Sequence, residues 1–210
     1  MSLEDLIDAF VNLDEEKVLR IVESLLREGK DPTEILEACR RATTLIGERF
    51  ERGEYFLSEL VFASEIFNGV MRIVLPELKR EVKPTGKIVL GTVQGDIHDI
   101  GKNIFKAFAE AAGFRIIDLG VDVPPERFVE AVRTHSPDIL GMSGLLTISY
   151  ESMKKTVEAL REAGLRDKVK IIIGGGRVDE YVKRYTGADE WADNAMLGVK
   201  KCREMLGLGG

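Results

Sequence analysis

Lys87-Ile88-Val89-Leu90-Gly91-Thr92-Val93 is an apolar run, and Gly95-Asp96-Ile97-His98-Asp99-Ile100-Gly101-Lys102-Asn103 follows it before an apolar-periodic segment begins. The first stretch is short and largely apolar, which predicts a buried strand. The spacing after it predicts a helix. The join between them falls at the carboxyl end of a strand, the edge where open α/β sheets bind ligands. The 210 residues include two histidines, and one of them, His98, stands in this join. Asp96, two residues earlier, can orient the imidazole if the loop is extended. Gly101 removes a side chain where a ligand must approach the backbone closely.

The alternation continues to the end of the chain. Strands are predicted at 88–93, 114–119, 139–143 and 170–173, with a short last one near Glu190-Trp191. Helices are predicted at 100–112, 125–135, 150–163, 177–185 and 194–206. Strict alternation of this kind predicts an α/β fold with a doubly wound parallel sheet. In a flavodoxin-like strand order, 2-1-3-4-5, the first, third and fourth strands meet at the switch point. Their loops then converge. The first contributes Asp96 and His98, the third Gly141-Met142-Ser143-Gly144-Leu145-Leu146-Thr147, and the fourth Gly174-Gly175-Gly176. The site would hold an acid–histidine pair, a small hydroxyl and a glycine-lined trough. Such a trough suits something large and flat-sided that passes close to the backbone.

Upstream the period is helical. Ser2 and Asp14 are expected N-caps, and Asp31-Pro32 reads as an N-cap followed by Pro at the first helical position. That third helix carries Ile35, Leu36, Cys39, Ala42, Leu45, Ile46 and Phe50 on one stripe, and Gly53 ends it. A fourth helix is expected from Ser58 to Lys79. Four helices of this kind form a bundle. Glu81-Val82-Lys83-Pro84-Thr85-Gly86 then reads as a linker, with Pro84-Thr85-Gly86 as its hinge. The expected domains are therefore 1–83, a helical bundle, and 87–210, the sheet domain.

Charge and cysteine usage narrow the class. The formal net charge is −6, with both signs mixed along the chain, which argues against a nucleic-acid surface. No apolar run is long enough to cross a bilayer. The start, Met1-Ser2-Leu3-Glu4-Asp5, lacks a secretory signal. Cys39 and Cys202 lie far apart in expected helices, with no metal-ligand spacing. These features together lead to the expectation of a cytoplasmic protein without nucleic-acid or membrane partners. His135 falls at a helix end, where a cationic ring near the C-terminus accounts for it.

The three loops together resemble the cobalamin-binding domain of corrinoid proteins, and are similar also to the cobalamin-binding module of methionine synthase. The pattern is Asp-x-His-x-x-Gly, then Ser-x-Leu, then Gly-Gly. Here it is carried by Asp96, His98 and Gly101, by Ser143 and Leu145, and by Gly174 and Gly175. Gly187-Ala188-Asp189 matches too. Gly53-Glu54-Tyr55-Phe56-Leu57-Ser58-Glu59-Leu60 looks like the helical cap of methyl-transferring corrinoid proteins. The resemblance covers nearly the whole chain. It departs at Ser58, where relatives often have proline, and at Gly176-Arg177-Val178-Asp179, where Ala-Pro-Val-Thr is frequent.

The resemblance implies a cofactor, cobalamin or a related corrinoid, bound with its own base off and a protein histidine on. His98 would be the lower axial ligand of cobalt. Asp96 would accept a hydrogen bond from the other ring nitrogen, and Ser143 would extend the relay by bonding Asp96. Ile97 and Asp99 would border the cofactor from the same loop. Leu145, Thr147, Gly174 and Gly175 would line a channel for the nucleotide tail. Val61 and Phe62 would shield the upper corrin face.

The implied role is a carrier with no catalytic residue of its own. A substrate-specific methyltransferase would load it from methanol, a methylamine or a methoxylated compound. A methyl-acceptor methyltransferase, using coenzyme M or a tetrahydropterin, would unload it, and a reductive activating protein would restore it. The alternatives within the same resemblance are a cobalamin-binding subunit of a mutase and a cobalamin-dependent sensor. Other users of the fold fit less well. A phosphoacceptor domain needs an aspartate where Ser143 stands. A dinucleotide site needs Gly-x-Gly-x-x-Gly in the first loop. A zinc hydrolase needs three protein ligands.

Overall fold

The computed structural model describes residues 1–78, 84–176 and 178–208. The chain forms two compact units, Met1–Lys83 with Ala111–Gly113, and Pro84–Glu110 with Phe114–Gly210.

The first unit contains α1 (Leu3–Val11), α2 (Glu15–Arg27), α3 (Pro32–Glu51) and α4 (Leu57–Val74). Local chemistry sets where they start. The Ser2 hydroxyl accepts from the Asp5 N–H while the Asp5 carboxylate receives the Ser2 N–H, a reciprocal capping box. Asp14 caps α2 through the Lys17 N–H, and Asp31 caps α3 through the Thr33 N–H with Pro32 behind it. α3 ends just before Gly53, whose φ of 73° is costly for a side-chain-bearing residue. α4 ends at Val74 and tightens into a short turn at Leu75–Glu77. The expected helix ran on to Lys79. Pro76 accounts for the earlier end, because it has no N–H to continue an α ladder. Lys79 and the linker residues Glu81-Val82-Lys83 lie outside the described residues. Leu6, Phe10, Val18, Ile35, Ile46, Leu60 and Phe67 fill the interior of this four-helix bundle. Cys39 is buried there.

The second unit alternates β1 (Gly86–Thr92), α5 (Ile100–Ala111), β2 (Phe114–Asp118), α6 (Pro125–His135), β3 (Ile139–Ser143), α7 (Ile148–Glu162), β4 (Lys170–Gly174), α8 (Glu180–Thr186), β5 (Glu190–Ala192) and α9 (Ala195–Met205). The strands are all parallel in the order β2-β1-β3-β4-β5, the doubly wound order expected. Val89, Leu140, Met142, Ile171 and Ile173 pack on one face with Phe128, Val132, Met153, Val157, Leu160 and Val182. Leu90, Gly141 and Ile172 are paired in one row, offset by one residue from that face, and line a cavity with α5 and α9.

Three further boundaries differ from expectation by two or more residues, each for a local reason. Gly86 belongs to β1, paired with Phe114, and not to a linker. A Cβ there would meet the Leu206 side chain at 2.5 Å. α7 begins at Ile148, two residues early, so that Ser149 lies in its first turn. α8 begins at Glu180 because Asp179 caps it through the Val182 N–H. The expected start, Arg177, lies outside the described residues. Among the described residues no helix is long and apolar enough to cross a membrane.

Candidate functional site

The β1–α5 loop is tied down by backbone and short side chains before any functional group is considered. The Thr92 hydroxyl donates to the His98 carbonyl at 3.1 Å, and the Gly95 N–H donates to Asp122 at 2.8 Å. The Asp122 N–H in turn reaches the Asp96 carbonyl at 3.0 Å. Asp99 receives the Asn103 amide and N–H, which closes the first turn of α5.

Within this frame Asp96 is 1 % exposed, and its two oxygens serve different loops. Oδ1 accepts from the His98 N–H at 2.9 Å and faces the His98 Nδ1 at 2.7 Å. Oδ2 accepts from the Leu145 N–H at 2.6 Å, the Leu146 N–H at 3.1 Å and the Ser149 hydroxyl at 2.7 Å. Burial by itself would raise the Asp96 pKa. The donors, His98 N–H and the Ser149 hydroxyl foremost, outweigh it and hold the carboxyl far below its ordinary range. Asp96 is therefore a buried carboxylate held by dipoles and by one imidazole.

An ionised Asp96 requires the proton on Nδ1 of a neutral His98, so the lone pair lies on Nε2. The His98 side chain is half exposed, and among the described residues Nε2 has no hydrogen-bond partner. Among those residues, too, no group of three or more His, Cys, Asp or Glu is placed to hold a metal ion. A lone, oriented imidazole suits a metal whose other ligands come with it. Around the two loops Ile97, Ile100, Leu145, Leu146 and Ile148 are all exposed. An apolar rim of this kind fits the face of a flat, largely apolar ligand.

Beside the loop, a cavity of about 100 Å³ opens between the sheet and helices α5 and α9. Gly101, Gly141, Gly174, Gly175 and Gly198 all contribute to its wall. A Cβ added at Gly101 would meet nothing within 4 Å, so the protein's own packing does not require glycine there. Gly175 and Gly176 differ. Their φ values are 91° and 57°, and a Cβ would come 2.8 Å from the Gly144 oxygen or 2.7 Å from the Leu145 oxygen. They let the β4 loop press against the backbone that supplies the Leu145 and Leu146 amides.

The expected site residues thus fall into groups. Asp96, Ile97, His98, Asp99 and Gly101 stand together, and Ser143, Gly174 and Gly175 line the cavity. The serine expected to bond Asp96 is corrected. Ser143 is the last residue of β3 and is absent from Asp96's partners, whereas Ser149, in the first turn of α7, donates to it. Leu145 and Thr147 are likewise absent from the cavity wall. Leu145 serves Asp96 through its N–H, and its side chain is 49 % exposed. Val61 and Phe62 belong to the helical unit, Val61 partly buried and Phe62 exposed. Sequence reading missed Lys102 and Phe105 on the cavity wall, as well as Ser149 and the Leu146 amide. The helical spacing of 101, 102 and 105 was the signal available for the first two.

This is an α/β unit with an oriented histidine at the switch point of its sheet, preceded by a helical bundle. A B12 binding domain model matches residues 86–200, and a second B12 binding domain model matches residues 2–75. The chain is 38 % identical over 203 residues to trimethylamine corrinoid protein 1 of Methanosarcina acetivorans, covering 95 % of this chain and 94 % of that one. It is 38 % identical over 208 residues to the dimethylamine corrinoid protein of Methanosarcina barkeri, covering 97 % of each. The crystal structure of a novel cobalamin-binding protein from Desulfitobacterium hafniense DCB-2 matches with a TM-score of 0.80 at 42 % identity, over 98 % of each chain. The chain belongs to the corrinoid proteins, and its cofactor is cobalamin or a related corrinoid.

Proposed function

We propose that this protein carries a methyl group on a corrinoid bound base-off, with His98 as the lower axial ligand, between two methyltransferases. The observation that carries this is the Asp96–His98 pair. A buried carboxylate with five donors among the described residues holds one ring nitrogen, and the other has no partner among them. The corrinoid supplies a cobalt centre that accepts and gives up the methyl group. The chain's own residues position and tune that centre. Asp96 fixes the His98 tautomer and raises the basicity of Nε2. The Leu145 and Leu146 amides and the Ser149 hydroxyl keep Asp96 ionised and stationary. The apolar rim of Ile97, Ile100, Leu145, Leu146 and Ile148 keeps water from the ligand's lower face. The cavity beyond Gly101 houses the displaced nucleotide tail.

The partners of such a carrier are a substrate-specific methyltransferase, a methyl-acceptor methyltransferase and a reductive activating protein. Two of the relatives are named for methylated amines, at equal identity, so a methylated amine is the donor class proposed. The test has two arms. Protein reconstituted with hydroxocobalamin and reduced to Co(II) is examined by electron paramagnetic resonance, with and without ¹⁵N-histidine. A splitting that changes with the label supports His98 ligation, and an unchanged splitting removes it. Methyl transfer is then assayed from mono-, di- and trimethylamine, each with its demethylating partner. Failure with all three, alongside turnover with methanol or a methoxylated donor, would overturn the donor class alone.

A further inference from the structure

We infer that the cavity beside α5 selects corrinoids by their lower base, taking an apolar benzimidazole in preference to a purine. The inference rests on the base-off reading, because only a base detached from cobalt has to be housed by the protein. The row of the sheet away from its carboxyl edge presents Leu90, Gly141 and Ile172 to the cavity. The Phe105 ring, packed beside Gly198, lies on the helical side. None of these side chains offers a hydrogen bond.

The polar side chains on the wall are committed or stand at the edge. The three donors of Lys102 are used by Asp118 Oδ1 at 2.8 Å, Asp118 Oδ2 at 2.9 Å and Asn103 Oδ1 at 3.0 Å. Asn194 accepts the Leu197 N–H and donates to Asp193, which is itself exposed. Ser143 pairs with Gly174 in the edge row of the sheet, two residues outward from Gly141. An adenine base brings an exocyclic amine and two further ring nitrogens that this interior leaves unpaired. A dimethylbenzimidazole base brings methyl groups and carbon edges in their place. Unpaired buried polar groups carry a desolvation penalty, which sets the expected preference at about tenfold or more.

The experiment titrates the apoprotein with three corrinoids and reads dissociation constants from absorbance. They are cobalamin, the adenine-based cobamide and cobinamide, which lacks the nucleotide. The expected order is cobalamin tightest, the adenine form about tenfold weaker or more, and cobinamide weakest. Cobalamin and the adenine form binding alike, or the adenine form binding better, with both tighter than cobinamide, would overturn the selection while leaving the housed tail standing. Three equal affinities would overturn the housing itself, and with it the inference. Ile172→Asn places an amide on the cavity floor and should narrow the ratio between the two nucleotide-bearing corrinoids. Its cobinamide affinity, which does not involve the floor, reports whether the variant folds. A folded variant with an unchanged ratio would count against the inference.

Discussion

Asp96, in the loop after β1, and Asp118, the last residue of neighbouring β2, are both kept ionised against partial or complete burial. They are kept so by different means. Asp118 accepts from Lys102 at 2.8 and 2.9 Å, with Lys106 at 3.4 Å and the Gly120 N–H at 3.0 Å. Burial pushes its pKa up, and the Lys102 hydrogen bonds and charge more than reverse that, so the net shift is downward. Among the described residues Asp96 has no lysine or arginine hydrogen-bond partner; amides, a hydroxyl and an imidazole hold it. An ammonium cancels the charge it stabilises, whereas dipoles leave it in place. Asp118 and Lys102 therefore form a strut that pins α5 to β2. Asp96 keeps a net negative charge that acts on His98, and through it on whatever Nε2 binds.

Substitutions should separate the two carboxylates, beginning with the proposed ligand, His98. His98→Ala should abolish the histidine nitrogen splitting in the Co(II) spectrum of the reconstituted protein. A retained splitting would mean that another nitrogen binds cobalt and that the Asp96 arrangement is incidental. Asp96→Asn comes next. The amide has one accepting oxygen for donors that now occupy two, so its NH₂ must oppose either the His98 or the Leu145–Ser149 donors. Losses of this kind beside a metal ligand run to about 10- to 100-fold in affinity or activity. Corrinoid affinity and methyl transfer both measure it.

Ser149→Ala removes one of the five donors and should have a smaller effect of the same sign on both readouts. Ser143→Ala should leave axial coordination unchanged. If the two serine variants exchanged these results, the relay would run through the strand end and not through α7.

Lys102→Met should likewise leave cobalt coordination unchanged, and its main consequence should be on stability. Asp118 has a depressed native pKa, below the unfolded value of about 3.9. Its contribution is therefore complete above that value and is lost as pH falls through the native one. Removing the lysine should cost about 1–3 kcal/mol near neutrality, tempered by Lys106 and by the partial exposure of Asp118. It should also flatten the loss of stability in acid. Urea unfolding at pH 7 and at pH 3 checks both, and a variant as acid-sensitive as the parent would show that the strut is not formed. Cys39 and Cys202, both buried and pushed up to about 12 by burial, should react with thiol reagents only on unfolding.

The parts of this molecule legible from sequence are those whose physical cause is local. Strands and helices follow from the spacing of apolar residues along a few turns. Ser2, Asp14 and Asp31 cap helices with donors no more than three residues away. The Asp96–His98 pair was legible for the same reason, since two residues in one loop can bond whatever the rest of the chain does. The doubly wound parallel sheet followed from strict β/α alternation, which leaves few topologies open, and the flavodoxin-like order was one of those few.

The rest depended on distances that no local pattern encodes. Leu145, Leu146 and Ser149 reach Asp96 from 49, 50 and 53 residues away. Which serine does so turned on α7 starting at Ile148, a shift of two residues that swings a different hydroxyl toward the carboxylate. The close seating of Gly175 and Gly176 on the Gly144–Leu145 backbone, and the cavity beside Phe105 and Lys102, likewise exist only once β3 and β4 pair and α5 packs on the sheet. The sequence by itself determined the elements, their alternation and the Asp96–His98 pair, because short-range hydrogen bonds and periodic burial act along the chain. Tertiary structure alone decided what holds Asp96 charged and what shape the neighbouring cavity takes, because a buried charge and a cavity wall are each assembled from segments that meet only in the folded protein.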